Sequence, residues 1–157
     1  MQKITASLWF DNQAEEARDF YVSVFKDAEV LDTAYYTEVG PGEPGTVVTA
    51  SWRLFGMEFV GINGGPMFTF DEAVSFVINC ADQADVDYYW EKLLEGGQES
   101  QCGWLKDKYG LSWQVVPTVL NEMFLDTDRE KANRAMAAML SMVKLDIAAL
   151  QAAFDGA

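Results

Sequence analysis

Histidine is absent from all 157 residues, which removes the commonest metal ligand and the one side chain that titrates near neutrality unshifted. Histidine-based triads, zinc sites and general bases are excluded, so any chemistry falls to carboxylates, tyrosine, cysteine, lysine or neutral polar groups. Basic residues are scarce: 11 Lys plus Arg stand against 25 Asp plus Glu, a net charge of −14. That field repels phosphate backbones and anionic surfaces, so neither nucleic acid nor a membrane is expected as a partner. Cysteine is limited to Cys80 and Cys102, with no CxxC pair. No run approaches the roughly 18 consecutive apolar residues of a membrane span. With no signal-peptide pattern at the start, a cytoplasmic location with reduced thiols is expected.

What is present is the composition of a packed protein. Half of the residues are hydrophobic and 13% are aromatic, enough for one domain or a pair of small fused modules without disulfide staples. Ile4 to Phe10 reads as a buried strand, and Asp11-Asn12-Gln13 supplies capping side chains for a helix with Ala14, Ala17, Tyr21, Val24 and Phe25 on one face. An extended stretch from Val30 to Glu38 and a Gly/Pro-rich loop follow. Thr46 to Leu54 and Met57 to Ile62 then read as strands paired around Phe55-Gly56. The order is β-α-β-β-β.

That order recurs after Asn63-Gly64-Gly65-Pro66, a segment that reads as a linker or the rim of a pocket. Ala73 to Asn79 is strand-like, and Asp82 with Asp85 forms a capping pair. Val86, Tyr89, Trp90, Leu93 and Leu94 make one helical stripe, which places Trp90 in the core. Gln98 to Leu105 and Leu111 to Val116 read as strands around the charged turn Asp107-Lys108-Tyr109-Gly110, whose charges are expected in solvent. An offset of 70 superposes Gln13-Ala14-Glu15 on Gln83-Ala84-Asp85 and Thr5 on Ser75. The expected division is module one over 3–64, module two over 67–117 and a helical tail over 118–157. In the tail, Ala132, Ala135, Met136, Met139, Leu140 and Val143 mark one helix. Asp146 caps a second that carries Ile147, Leu150 and Phe154. This pair either packs on its own module or forms a dimer surface or lid.

The opening Ile4-Thr5-Ala6-Ser7-Leu8-Trp9-Phe10-Asp11, the Ala14-Glu15-Glu16-Ala17 and Phe20-Tyr21 that follow, Asn63-Gly64-Gly65-Pro66 and the run Cys102 to Pro117 resemble the PhnB-like family. That family is often labelled 3-demethylubiquinone-9 3-methyltransferase-like, within the vicinal oxygen chelate (glyoxalase/bleomycin resistance) superfamily. The resemblance extends over the whole chain, tail included. It implies an α+β fold of two βαβββ modules forming a cupped mixed sheet with C-terminal helices, in a homodimer. It also implies, for enzymes of the superfamily, a divalent metal held by His and Glu ligands in the cup. The last ligand is usually the Glu of a motif similar to Asp-Pro-Asp-Gly-Asn-x-x-Glu, and Gln114 takes that seat here. The first strands of the modules offer only Thr5, Ser7 and Ser75 as polar side chains. These are weak transition-metal ligands, so no metal is expected.

The candidate ligand-binding residues are therefore Gln114, Trp104, Trp9, Ser75 and Thr5. Gln114 reads as a hydrogen-bonding group in a cup or as a structural amide. Trp9, Trp52, Trp104 and Trp113 read as stacking faces or as core. Cys102 reads as an inert thiol or a nucleophile without a base, and Cys80 as inert. Glu58 is either solvated or turned inward as a base. No glycine-rich strand-to-helix turn for S-adenosylmethionine or a dinucleotide is present, so no cofactor is expected. The function expected is metal-free binding of an unidentified small molecule, the alternative being a lyase, isomerase or dioxygenase with an atypical site.

Overall fold

The computed structural model describes residues 2–157. They form two compact units, residues 2–70 and 71–157. The first contains β1 (Ala6–Phe10), α1 (Ala14–Val24), β2 (Ala28–Tyr35), β3 (Val47–Leu54) and β4 (Met57–Asn63). The second repeats the series as β5 (Ser75–Cys80), α2 (Gln83–Leu94), β6 (Gln98–Glu99), β7 (Trp104–Lys106) and β8 (Ser112–Pro117). It then adds α3 (Thr118–Leu125), α4 (Arg129–Leu140) and α5 (Ile147–Asp155). The sheets have orders β1-β4-β3-β2 and β5-β8-β7-β6, each with one parallel pair and two antiparallel pairs. Identical strand order confirms the duplicated α+β unit that the resemblance implies.

In unit one, Leu8, Phe10, Ala50, Trp52 and Phe59 are buried with Ala14, Ala17 and Tyr21 of α1. Trp52 stacks on Phe59 at 5.6 Å and meets the Tyr21 ring at 5.7 Å. The helix lies so close that a Cβ on Gly61 would stand 3.1 Å from the Ala14 Cβ and 3.2 Å from the Trp52 ring. The cap of α1 differs from the expected one, since Gln13 makes no side-chain cap bond. Instead Asn63, at the end of β4, accepts from the Ala14 N–H at 2.8 Å and donates to the Val47 carbonyl at 3.0 Å. One distant amide thus satisfies a helix end and joins it to β3. β1 is shorter than expected, and Ile4 before it is exposed.

In unit two, the Asp82 carboxylate accepts from the Asp85 N–H at 2.9 Å, the expected cap, and the Asp85 carboxylate accepts from the Ala81 N–H, one residue before the cap, at 3.3 Å. Val86, Tyr89, Trp90 and Leu93 are buried, and so are Leu105, Trp113 and Val115 in the sheet. The expected strand over Gln98 to Leu105 is instead a hairpin of β6 and β7. Its turn places Cys102 at φ 59° and Gly103 at φ 83°, both left-handed.

That turn is where the tail docks. Met142 and Val143 accept from the Cys102 and Gly103 N–H groups at 2.8 and 2.7 Å. A Cβ on Gly103 would stand 3.0 Å from both Leu145 Cδ1 and the Val115 carbonyl, so glycine is needed for the contact as well as for the φ. Leu120, Met123, Ala135, Leu145 and Leu150 form a second core, with Met139, Met142 and Val116 against it. Arg134 donates to the Ala153 and Phe154 carbonyls at the end of α5. Two tail expectations need correction. Helix α3 was missed, and α4 ends at Leu140, leaving Val143 in the connecting turn. The tail pair packs on its own unit.

Candidate functional site

Each sheet has one face under its helix and one face turned from it, and alternation decides which side chains stand on which. In β8, Trp113 and Val115 are buried on the helix side, so Ser112, Gln114 and Val116 face the other way. In-register neighbours share a face, which adds Trp104 (opposite Gln114), Lys106 and Ser75 (both opposite Ser112) and Val77 (opposite Gln114). Three of the five sequence-proposed residues thus lie together. Gln114 donates through Nε2 to Ser75 Oγ at 2.9 Å, beside the half-buried Trp104.

The other two lie in unit one. Thr5 is the counterpart of Ser75, one step before the in-register pair Ala6 and Phe59, as Ser75 precedes Phe76 and Trp113. It lines a cavity of about 620 Å³ with Ser51, Arg53, Glu58 and Asp32. Trp9 is occupied by its own chain. Its Nε1–H donates to the Gly65 carbonyl at 2.9 Å, Phe68 meets it edge-on at 4.9 Å, and a Cβ on Gly64 would stand 2.2 Å from the indole. The Asn63–Pro66 segment therefore packs against this ring. Trp52 and Trp113 are core.

Two charged residues behave unlike the sequence expectation. Asp107, read as a solvated turn charge, is 2% exposed. Its carboxylate accepts from the Tyr109 and Leu111 N–H groups at 2.9 and 3.1 Å and from Trp113 Nε1 at 2.9 Å. It closes the turn and anchors the core indole, a role hidden because the donors come from several steps along the chain. Glu58, also read mainly as solvated, is 8% exposed and faces away from α1. It accepts from Gln2 N at 3.1 Å and pairs with Arg53 Nη2 at 3.0 Å, and Arg53 also binds Glu29. The Gln2 N–H and then the Arg53 guanidinium hold the Glu58 carboxyl below its ordinary value of 4.5. A carboxylate so held is a poor proton acceptor near neutrality. Because its pKa is lowered on folding, its contribution is present above the unfolded value and is lost as pH falls through the folded one. The Tm gap between wild type and Glu58→Gln should accordingly be positive at neutral pH and shrink below about pH 4.5, as read by thermal melts across pH.

The donor set does not suit a metal. Gln114 and Ser75 are neutral oxygen and nitrogen groups, and the equivalent of Gln114 in unit one is Val60, which follows Phe59 as Gln114 follows Trp113. Among the described residues no three His, Cys, Asp or Glu side chains form a metal-sized cluster. The thiols stand apart, with Cys80 buried and Cys102 partly exposed. No described helix is long and apolar enough to cross a membrane.

Residues 2–116 match a family model described as 3-demethylubiquinone-9 3-methyltransferase. The match stops short of the tail, which the sequence resemblance was expected to include. Among solved structures, the PhnB protein of Bacillus cereus is 38% identical, covering 74% of this chain and 99% of its own, with a TM-score of 0.67. A glyoxylase/bleomycin resistance protein/dioxygenase domain from Frankia is 18% identical over 74% of this chain and 92% of its own, TM-score 0.51. The fosfomycin resistance protein of Listeria monocytogenes, complexed with Mn(II) and sulfate, is 14% identical over 79% of this chain and 97% of its own, TM-score 0.53. These last two show the fold alone. No curated protein is significantly similar.

Proposed function

Because this chain belongs to the family described as 3-demethylubiquinone-9 3-methyltransferase, we propose that it is a metal-free small-molecule-binding protein, a cytoplasmic homodimer, and not a methyltransferase. The observation that carries this reading is the Gln114–Ser75 hydrogen bond beside Trp104. A neutral amide held by a hydroxyl can donate to and accept from a ligand, and it is a much weaker metal ligand than the carboxylate it replaces. The turns that lead from parallel strands into helices, residues 11–13 and 81–82, contain no glycine. A nucleotide-type cofactor loop of the Rossmann kind requires one, which argues against the methyltransferase description. Glu58, the buried carboxylate on the unit-one face, is committed to Arg53. The net charge of −14 favours cationic, zwitterionic or neutral ligands and disfavours nucleic acid.

The test is a thermal-shift screen of such compounds, with hits titrated by tryptophan fluorescence. Trp104→Ala and Gln114→Ala should each weaken the best hit by about tenfold, the scale of one lost stacking or hydrogen-bonding partner. Hits whose affinity ignores both substitutions would remove this face as the binding site.

A further inference from the structure

The duplication supplies an internal comparison. In unit one the hairpin after β3 turns at Gly56 (φ 81°) and returns two residues later at Glu58, in register with Arg53. In unit two it turns at Gly110 (φ 83°) and returns two residues later at Ser112, in register with Lys106. Arg53 therefore corresponds to Lys106 and Glu58 to Ser112. The unit-one cation is neutralised by its own cross-strand carboxylate. The unit-two cation faces a hydroxyl instead, and that hydroxyl is 1% exposed with no hydrogen-bond partner among the described residues. Lys106 reaches sideways to Glu72, whose side chain is 62% exposed. Such a solvent-exposed pair contributes little and exchanges readily. These groups line a cavity of about 250 Å³ with Trp104, Gln98 and Glu99.

We propose that this cavity binds the head group of a small amino-carboxylate zwitterion of amino-acid type. Its carboxylate takes the position relative to Lys106 that Glu58 holds relative to Arg53, and also engages the Ser112 hydroxyl. Its ammonium meets Glu72, released from Lys106, and its apolar side group lies against Trp104. The charge pattern selects the zwitterion. A simple anion would leave Glu72 unpaired in an acidic protein, and a simple cation would do nothing for Lys106 or the buried Ser112 hydroxyl. The inference rests on the reading above, because the pocket continues the face that carries Gln114, Trp104 and Ser75, and it names the ligand class.

The experiment is calorimetric titration of the full chain with L-phenylalanine, 2-phenylethylamine and 3-phenylpropanoate, which share a ring and differ in charge. Phenylalanine should bind at least about tenfold more tightly than either half-charged analogue. Lys106→Met should abolish that preference with the fold intact by circular dichroism. Glu72→Gln, at an exposed position, should narrow the gap between phenylalanine and phenylpropanoate. No binding by any probe up to ~10 mM, or binding unchanged in Lys106→Met, would overturn the proposal. A screening hit that depends on Gln114 and Trp104 but ignores Lys106→Met and Glu72→Gln would overturn it while sparing the broader reading; hits indifferent to all four sink both.

Discussion

Replacing Asp107 with alanine should destabilise the protein by about 3–5 kcal/mol, because a buried carboxylate that satisfies several donors leaves them unpaired when it is removed. The Trp113 indole N–H is the costliest of these, since it is inside the core of unit two, whereas the Tyr109 and Leu111 amides lie in the turn. At roughly 2–4 °C per kcal/mol for a chain of this length, the Tm should fall by about 10 °C. Asp107→Asn tests the cause. An asparagine keeps one acceptor oxygen and turns its amide N–H₂ toward a donor, so about half of the loss should remain. Trp113→Phe removes the indole donor, and the double variant Asp107→Asn/Trp113→Phe should be less destabilised than the sum of the singles by about 1 kcal/mol. Additive singles would mean that the carboxylate serves only the turn. The Asp107 to Gln114 run is the same segment that carries the family resemblance; its first residue shapes the turn, while its last stands on the sheet face turned from α2.

The second large effect is expected in the tail. Leu145 is fully buried in the second core, against the Gly103 turn. Leu145→Ala should cost about 3 kcal/mol through lost burial and a cavity. Because Gly103 and Cys102 donate to the Val143 and Met142 carbonyls, their amides should lose hydrogen-exchange protection together with the tail helices. Urea unfolding that leaves unit two at wild-type stability, with only α3 to α5 exchanging faster, would show that the tail is an appendage. The family model ends at residue 116, so this expected coupling belongs to the chain's own extension and not to the shared fold.

What could be read from the sequence divides along the range of the interactions involved. The α2 cap was legible because the Asp82 carboxylate accepts from an N–H only three residues on, and the helical stripes because their period is local. Gln114 was legible from the family resemblance and Ser75 from its match to Thr5 at the offset of 70, whereas their meeting beside Trp104 needs the register of β5 and β7 on β8. The α1 cap was misread because the capping amide comes from Asn63, 49 residues away. The strand over Gln98 to Leu105 was drawn unbroken because Cys102 is a non-glycine residue in the left-handed region, held there by a bond to Met142 in the tail. Asp107 and Glu58 read as solvated because lone acidic residues beside turns usually are, and their partners, Trp113, Arg53 and Gln2, become visible only in register. Trp9 stands on the expected face, yet its ring is taken up by Gly64, Gly65 and Phe68.

The central claim is that a neutral Gln114–Ser75 pair replaces a metal seat. It is tested most directly by the divalent-metal content of untagged protein, purified without chelator and then dialysed against Mn(II), Ni(II) and Zn(II) in turn. A tag must be avoided because it would supply the imidazoles that this chain lacks. The metal content should stay below about 0.1 per chain in every case, with no rise in Tm on adding metal, since a ligand that binds only the folded state would raise it. Metal near one per chain, with a Tm that rises on loading and a loss of both in Gln114→Ala, would contradict it and restore a metal-dependent enzyme as the leading reading.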